Sequence, residues 1–438
     1  MPDSVRRRVV AALTTPFAVR LAVIALLGLA VRVVYVLVVA ADRPLFGDAL
    51  SYHLWAEQIA DGKGMVAVTH EQVGVVVDQP TPTAELAPLF PHLLGLIAWL
   101  GATTVAAQKV VMACVGAITV VLLGLAGREA AGERVGLLAA GIAAVYPFLW
   151  LPDGSLMSET LYGIGLALLL FAGFRLGRGP TVGLAVAYGA LVGLAGLTRG
   201  EALLLGPLVL VPIVWNMGDD LAGRLRVLAA GGVAAVLVLA PWTIRNLAEF
   251  AEPVLIANNA NAVFAGANCP SVYEGRWLGL WTLECNIPAP PGDESERAVA
   301  LRQRGIDHVR DNFDRLPVVV AARFGRAWEL YHPIDQANYE VLEGRPREAS
   351  LVGLAFYYPL VGLAAVGVWR VRRDRRLLVP TVAPIVVVCI VAVVVYGVTR
   401  FRFTAEPALI VLGALGIDHL VRRRGGHVPV PDPAPASH

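Results

Sequence analysis

Residues 17–40 read FAVRLAVIALLGLAVRVVYVLVVA, and residues 46–64 read FGDALSYHLWAEQIADGKG. The first run is apolar and long enough to cross a lipid bilayer as a helix, which takes about 20 residues. The second run is short, acidic and aromatic, and it comes just after the end of that helix. Arg32 interrupts the apolar run, and a charge at that depth faces the interior of a helix bundle. Together the two stretches predict a helical membrane protein with a polar helix at the membrane surface.

The composition of the chain supports the same fold class. Of its 438 residues, 57% are hydrophobic and 16% are charged, whereas a soluble protein carries about 25% charged residues. The net charge of +2 does not indicate nucleic-acid binding. We therefore predict an all-α polytopic membrane protein with about ten transmembrane helices. The predicted spans lie near residues 17–40, 104–126, 133–151, 156–175, 180–198, 200–216, 226–243, 351–369, 377–397 and 402–420.

The distribution of arginine predicts which side of the membrane each loop occupies. The segment Pro88–Gly101 is apolar but short for a span, so we interpret it as an interfacial or re-entrant helix. The arginine-rich loops then all fall on one side, which the positive-inside rule places in the cytoplasm. Both termini are then cytoplasmic in a multi-pass protein of the inner or plasma membrane. The basic loops contain Arg6–Arg8, Arg128, Arg134, Arg175, Arg178, Arg224, Arg226, Arg370–Arg376 and Arg422–Arg424.

This topology divides the chain into four regions. Residues 1–243 form an N-terminal transmembrane module, which includes an acidic first outer loop at 41–103 with interfacial helices. Residues 244–350 form a small extracytoplasmic loop domain, and residues 351–420 form the C-terminal transmembrane helices. Residues 421–438, rich in Pro and Ala, are predicted to be a disordered cytoplasmic tail.

The acidic loop contains the first candidate catalytic group, Asp48. Gly47 turns the chain, so Asp48 is expected at the N-cap of a helix whose amides its carboxylate accepts. Helical spacing then places Tyr52, Trp55 and Ile59 on the same face as Asp48. The carboxylate has two interpretations, a catalytic base beside an aromatic surface or an ordinary helix cap.

Four arginines fall on the side opposite the basic loops, at the ends of separate spans. Guanidinium groups bind phosphate strongly and in a bidentate way, so these side chains are candidate ligands of a lipid-linked phosphate. The alternative is that each one reaches lipid phosphates or pairs with a nearby acid such as Glu201. The four are Arg199, Arg245, Arg400 and Arg402.

The chain resembles the membrane-embedded GT-C glycosyltransferases, in particular the bacterial branch that includes protein O-mannosyltransferases and lipid A aminoarabinose transferases. The likeness lies in the order and spacing of several motifs along nearly the whole chain. They are the motif of residues 47–64, Pro88-Leu89-Phe90-Pro91-His92-Leu93, Thr198-Arg199-x-Glu201, Pro241-Trp242-Thr243-Ile244-Arg245-Asn246 with the asparagines that follow, and Arg400-Phe401-Arg402 with Pro407.

The resemblance implies an inverting glycosyltransferase, a hexosyl- or pentosyltransferase. It would move a sugar from a polyprenyl-phosphate donor to a hydroxyl of a protein, glycolipid or cell-wall glycan on the extracytoplasmic face. By motif position Asp48 is the catalytic carboxylate, which takes the proton of the acceptor. The implied phosphate ligands are Arg400, Arg402, Arg199 and Arg245, and the implied substrate-binding residues are Tyr52, His53, Glu57, His92, Glu201 and Asn246.

Two further features stay open at the level of sequence. A metal site could be formed by His53 and His92 together with either Asp48 or Glu57, since these side chains are common metal ligands. We nevertheless expect that the protein requires no cofactor. Cys269 and Cys285 lie in the extracytoplasmic loop, where a disulfide is permitted, and the alternative is two separate thiols.

The competing functions belong to other classes. A transporter or flippase for a lipid-linked or anionic substrate is the main alternative, but such proteins place ionisable groups or broken helices near the midplane, often in repeated halves. A membrane scaffold leaves the acidic helix and the outer arginines without a role. The predicted partners are the lipid-linked donor, the acceptor and the bilayer, and not nucleic acid.

Overall fold

The computed structural model describes residues 15–68, 81–216 and 220–424. The predictions made for Arg6–Arg8 and for the tail from residue 425 lie outside these residues. The described chain is built from helices and connecting loops, as the all-α prediction requires.

The helices of the first half follow the predicted apolar segments closely. A 3-10 turn at Gly200–Leu204 leads into α9, and α1 continues as a π-helical turn to Ala40. The helices are α1 (Pro16–Tyr35), α2 (Gly47–Ala60), α3 (Leu89–Trp99), α4 (Val105–Ala131), α5 (Glu133–Val145), α6 (Pro147–Ser155), α7 (Glu159–Arg178), α8 (Val182–Gly196) and α9 (Leu205–Trp215).

The second half contains the longest helix, the loop domain and the last apolar helices. Short helical turns occur at Pro270–Tyr273, Glu340–Glu343 and Thr399–Arg402. The helices are α10 (Leu221–Glu249), α11 (Asn259–Ala267), α12 (Glu294–Asp311), α13 (Leu316–Ala327), α14 (Pro333–Tyr339), α15 (Arg347–Val371), α16 (Arg375–Val394) and α17 (Glu406–Arg424). Because α10 continues to Glu249, the predicted boundary at residue 244 falls inside a helix.

Each of the ten predicted spans contains a helix, but the helices differ in length. Six of those described are long and apolar enough to cross a membrane, and α5 with α6 makes a seventh if this bent pair is one span. The bend is 46° and occurs at Pro147, whose ring interrupts helical hydrogen bonding. The protein is thus a multi-pass membrane protein, and the count of ten spans remains a prediction.

Arg32 on α1 is fully buried in the helix bundle, as its position in an apolar run predicts. Its Nε lies 3.0 Å from Oδ2 of Asp153 on α6. The other oxygen of Asp153 accepts a hydrogen bond of 2.8 Å from the Thr160 hydroxyl. A buried charge requires such a partner, because its desolvation is otherwise costly.

Two packed regions hold the bundle together and position α2. The large core joins α1, α4, α5, α7, α8, α15 and α17. A smaller core places α2 and α3 against α4 through Tyr52, Trp55, Phe90 and Met112. The α2–α3 contact is so close that a Cβ at Gly95 would lie 2.5 Å from a methyl carbon of Ile59. This contact attaches the polar helix α2 rigidly to the bundle.

The loop domain of α11–α14 is tied to the bundle by buried arginines. Arg323 on α13 is 1% exposed and donates 2.5 Å and 3.2 Å hydrogen bonds to the carbonyls of Ala267 and Val393. Val393 belongs to α16, so this one side chain connects the loop domain to a helix of the bundle. The domain also contains a disulfide between Cys269 and Cys285.

Candidate functional site

Asp48 occupies the first turn of α2, two residues after the N-cap position. Phe46 is the N-cap residue, and no side chain caps the helix. Gly47 has φ = 50°, a conformation that glycine adopts without strain. The predicted N-cap role of Asp48 is therefore wrong, because the helix begins two residues earlier than that role requires. Its carboxylate instead accepts a 2.6 Å hydrogen bond from Nη1 of Arg400.

Arg400 lies in the helical turn Thr399–Arg402 between α16 and α17, and it contacts three carboxylates. Its Nε donates to Oε1 of Glu159 at 2.6 Å. Its Nη1 donates to Oδ2 of Asp48 at 2.6 Å and to Oε2 of Glu343 at 3.1 Å. The three acids come from α7, from α2 and from the turn before α15, so tertiary packing assembles this site from distant parts of the chain.

Glu159, the first residue of α7, is the centre of the ion pairs. It is fully buried, and its Oε1 accepts from Arg400 and from Nη1 of Arg199 at 3.0 Å. Nη2 of Arg345 lies 3.9 Å from the same oxygen. Sequence reasoning missed Glu159, although an acid at the start of an apolar run is a signal of functional or structural importance.

The connected groups form what we call the carboxylate–arginine cluster. Arg199 also binds Oε1 of Glu201 at 2.6 Å, and Arg345 binds Oε1 of Glu340 at 3.2 Å. The cluster thus contains five carboxyl groups and three guanidinium groups, and it carries an excess of acid. Its members are Asp48, Glu159, Glu201, Glu340, Glu343, Arg199, Arg345 and Arg400.

One part of this cluster is accessible to solvent. Glu159 is buried, but 29% of the Asp48 side chain and 26% of the Glu343 side chain are accessible. Tyr52 lies beneath them with 3% exposure, its ring 4.8 Å from that of Phe90. The accessible face therefore presents two carboxylates, and the Arg400 side chain between them is 10% exposed.

Glu85 is a further acid near Asp48 that sequence reasoning did not select. Its backbone segment is held by Glu294, whose carboxylate accepts from the Thr83 hydroxyl at 2.6 Å and the Ala84 amide at 2.9 Å. The Glu85 side chain is exposed at the surface, although protein atoms desolvate part of its carboxyl group. This desolvation raises the pKa of Glu85 to about 8, and the Asp48 and Glu294 carboxylates contribute.

Arg402 lies two residues from Arg400 but belongs to a different network. It is fully buried, its Nε donates to Oε1 of Glu406 at 2.7 Å, and its guanidinium stacks 3.7 Å above the Tyr357 ring. Nη1 is 3.7 Å from Oε1 of Glu329, which also accepts from the Thr399 hydroxyl. This network places Arg402 beside the aromatic core, away from the accessible face of the cluster.

Arg245 and Asn246 lie where the first outer loop contacts the segment that leads into the loop domain. Arg245 donates to the carbonyls of Thr83 at 3.1 Å and Met65 at 3.3 Å, and to Oδ1 of Asn246 at 3.0 Å. Its guanidinium stacks 4.8 Å from the Trp242 ring centre. These contacts support the segment that carries Glu85.

The two predicted histidines, His53 and His92, bind partners outside the carboxylate–arginine cluster. Nδ1 of His53 is 2.9 Å from Oε1 of Gln108, and Nε2 is 3.7 Å from the half-exposed Glu57 carboxylate. His92 binds the Pro88 carbonyl at 2.7 Å and packs edge-on against Trp242. In residues 15–68, 81–216 and 220–424, no group of three or more His, Cys, Asp or Glu side chains is arranged to hold a metal ion.

The fold is similar to that of an archaeal oligosaccharyltransferase, AglB, as solved structures of that enzyme show. The oligosaccharyltransferase AglB from Archaeoglobus fulgidus, in complex with an inhibitory peptide and a dolichol-phosphate, superimposes with a TM-score of 0.55 at 15% identity. The match covers 95% of this chain and 52% of AglB. The apo form of that enzyme matches with a TM-score of 0.53 over 94% and 52% of the two chains, also at 15% identity.

A third similar structure is ArnT from Cupriavidus metallidurans bound to undecaprenyl phosphate. Its TM-score is 0.41 at 17% identity, with 94% of this chain and 79% of ArnT covered. The chain spans about half the length of AglB, and the likeness to AglB concerns the fold. No protein-family model matches the sequence, and a search of curated proteins found no match.

Proposed function

We propose that the protein is an inverting glycosyltransferase that moves a sugar from a polyprenyl-phosphate donor to an acceptor hydroxyl on the extracytoplasmic face. The observation that supports it most is the accessible Asp48 carboxylate in direct contact with the Arg400 guanidinium. The AglB structure with the same fold contains a dolichol-phosphate, which is a lipid-linked phosphate of the proposed donor class.

The geometry suggests how the two groups divide the work. A hydroxyl is a poor nucleophile, and a carboxylate within hydrogen-bond reach accepts its proton as it attacks the anomeric carbon. The bond from that carbon to the phosphate oxygen breaks, and the electron pair leaves with the lipid phosphate. Arg400 and Arg199 are the cations of the cluster that would stabilise this charge.

We assign the remaining predicted residues to supporting roles within the same proposal. Glu201 aligns Arg199, and Tyr52 lies under Asp48. The remaining residues bind partners outside the carboxylate–arginine cluster, so we place them outside the groups that contact the phosphate; they are Arg402, Arg245, Asn246, His53, Glu57 and His92. The acceptor would be a protein, glycolipid or cell-wall glycan, and the sugar a hexose or pentose.

The experiment that tests this function uses the purified full chain in lipid nanodiscs. Native mass spectrometry measures bound undecaprenyl phosphate, for which we expect saturable binding in the wild type and a loss of at least tenfold in affinity for Arg400→Ala. Arg302→Ala, an exposed arginine on α12, is the matched control.

A second measurement separates transfer from transport. Sealed vesicles containing the protein receive polyprenyl-phosphate mannose as the first donor tested, with a water-soluble glycan acceptor. A new glycosidic bond supports the proposal. Movement of the lipid-linked sugar across the membrane without bond formation would instead establish the flippase alternative.

A further inference from the structure

Glu343 shares a single nitrogen atom with the candidate catalytic carboxylate. Its Oε2 lies 3.1 Å from Nη1 of Arg400, and the same nitrogen binds Asp48 at 2.6 Å. Glu343 ends the helical turn Glu340–Glu343, and Gly344 follows with φ = 74°, where a side chain would be strained. The turn is anchored on its other side by Arg345, which is buried and binds Glu340.

The shared nitrogen creates an electrostatic conflict once a phosphate arrives. Two carboxylates that contact the same nitrogen are near neighbours, and like charges at such distances disfavour ionisation of both. The cluster already has five carboxyl groups against three guanidinium groups, and the donor adds a further anion. Negative charge must therefore be removed when the donor phosphate binds to Arg400.

The partners of the five carboxyl groups show which of them can change its protonation state. Glu159 is buried against Arg400 and Arg199, Glu201 binds Arg199, and Glu340 binds Arg345. Asp48 must stay ionised to accept a proton in the proposed reaction. Glu343 has one close guanidinium contact, and it competes for that contact with Asp48.

We propose that Glu343 is a proton-linked positioning residue for the donor. When the lipid phosphate binds, the Glu343 carboxylate takes up one proton from solvent and releases Nη1 of Arg400 to the phosphate. Asp48 then remains as the ionised base. When the lipid phosphate leaves, Glu343 loses the proton and returns to Arg400. This inference rests on the proposed function and adds proton uptake as a feature of donor binding.

The surroundings of Glu343 favour its neutral form. Desolvation raises the pKa of Glu343, Arg400 lowers it, and the Asp48 carboxylate raises it. The other charged or titratable groups that face it are Arg345, Glu159 on α7 and Tyr396 after α16. A bound phosphate adds negative charge beside Arg400, which shifts the balance further toward protonated Glu343.

The test compares the wild type with Glu343→Gln, which is an isosteric mimic of the protonated acid. Undecaprenyl phosphate is titrated into each protein in nanodiscs at several pH values between 5.5 and 9, and calorimetry measures the heat of binding. Repeating each titration in buffers of different ionisation enthalpy gives the number of protons taken up. We expect the wild type to take up as much as one proton more per lipid bound than Glu343→Gln. At alkaline pH, the affinity of the wild type for undecaprenyl phosphate should fall by up to about tenfold more per pH unit than the affinity of Glu343→Gln.

Two variants serve as controls. Glu348→Gln alters an exposed acid five residues later and should retain the wild-type proton uptake. Glu343→Asp keeps the carboxyl group and should retain proton uptake even if its affinity is weaker. The same titrations are repeated with EDTA and with about 1 mM Mn²⁺ as the probe cation, a concentration at or above the Kd of weak divalent-cation sites.

Each outcome decides between the two proposals. If the wild type binds undecaprenyl phosphate but Glu343→Gln shows the same proton uptake and pH profile, the role of Glu343 is wrong and the proposed function stands. An affinity that depends on Mn²⁺ and not on Glu343 also overturns the inference, since a metal would then offset the excess acid. Absence of saturable binding by the wild type at every pH overturns the proposed donor class and this inference with it.

Discussion

Oδ2 of Asp48 lies 2.6 Å from Nη1 of Arg400, although the two residues are 352 positions apart in the chain. The pair joins the first surface helix to the turn before the last apolar helix. Because 29% of the Asp48 side chain remains accessible, one side of the contact is open to solvent. A phosphate that takes the place of Glu343 on Arg400 would leave the Asp48 carboxylate open to the acceptor.

The first prediction concerns Asp48→Asn, which preserves shape and removes the base. We expect transfer from a polyprenyl-phosphate sugar to fall by about 10²- to 10⁴-fold, the usual contribution of a general base. Binding of undecaprenyl phosphate should persist, because the arginines are unchanged. Initial rates of product formation measure the effect, and Asp61→Asn, an exposed acid paired with Lys63 at the other end of α2, is the matched control. A rate near that of the wild type for Asp48→Asn would remove Asp48 from the chemistry.

The second prediction concerns Glu159→Gln, which leaves the guanidiniums around it without a buried counter-charge. Breaking a buried ion pair costs about 3–5 kcal/mol, so a clear fall in the thermal unfolding temperature is expected. Thermal unfolding in detergent measures it, with Glu133→Gln as the control because the Glu133–Arg128 pair is exposed. If both variants unfold at the same temperature, Glu159 does not hold the cluster together.

The third prediction concerns the bond between Cys269 and Cys285, which are 16 residues apart. A crosslink that closes a loop of this length stabilises a protein by about 3 kcal/mol. Replacing both cysteines by serine should therefore lower the temperature at which the loop domain unfolds. Non-reducing peptide mapping checks the bond directly, and the double replacement of the free Cys114 and Cys389 is the control. Detection of four free thiols in the oxidised protein would contradict the structure.

The fourth prediction is a pH dependence of stability that arises from Glu85. Its pKa is raised to about 8 in the folded protein, so folding favours the protonated form. The resulting stabilisation is complete below the ordinary glutamate pKa and is lost as pH rises through about 8. Glu85→Gln should thus lose less stability than the wild type between pH 6 and pH 9. Unfolding temperatures across this range measure it, and parallel curves for the two proteins would show that Glu85 is not responsible.

The fifth prediction concerns sidedness. Single cysteines at Glu133 and at Arg302, in a chain without Cys114 and Cys389, should react with impermeant reagents from opposite sides of the membrane. We expect the cysteine at position 133 to be labelled from the cytoplasm, because Arg128 and Arg134 flank it. Labelling of both from one side would mean that Leu89–Trp99 or another short helix has been assigned to the wrong side.

Much of the fold was predictable from local patterns. Each of the ten predicted apolar runs contains a helix, because a chain in lipid must satisfy its backbone hydrogen bonds internally. Arg32 was predicted to face the interior for the same energetic reason, and Asp153 meets it there. Within the predicted segment 133–151, proline supplies the local signal for the bend of 46° at Pro147.

Only part of the candidate site could be predicted from the sequence. The order of motifs identified Asp48, Arg199, Glu201 and Arg400, which the fold brings into one cluster. It could not separate Arg400 from Arg402, because residues two apart on a helical turn point in different directions and only packing shows which direction is open. It also missed Glu159 and Glu343, whose neighbouring residues do not mark them as partners of Arg400.

The sequence by itself determined the helical membrane fold and the kinds of side chain, acidic and aromatic, on the first surface helix. Those properties depend on apolar length, charge and local spacing. Only the tertiary structure decided which acid meets which arginine, because α2, α7 and the turns before α15 and α17 are far apart in the chain. Asp48 has Arg400 as its partner because packing in the smaller core attaches α2 to the bundle at that point.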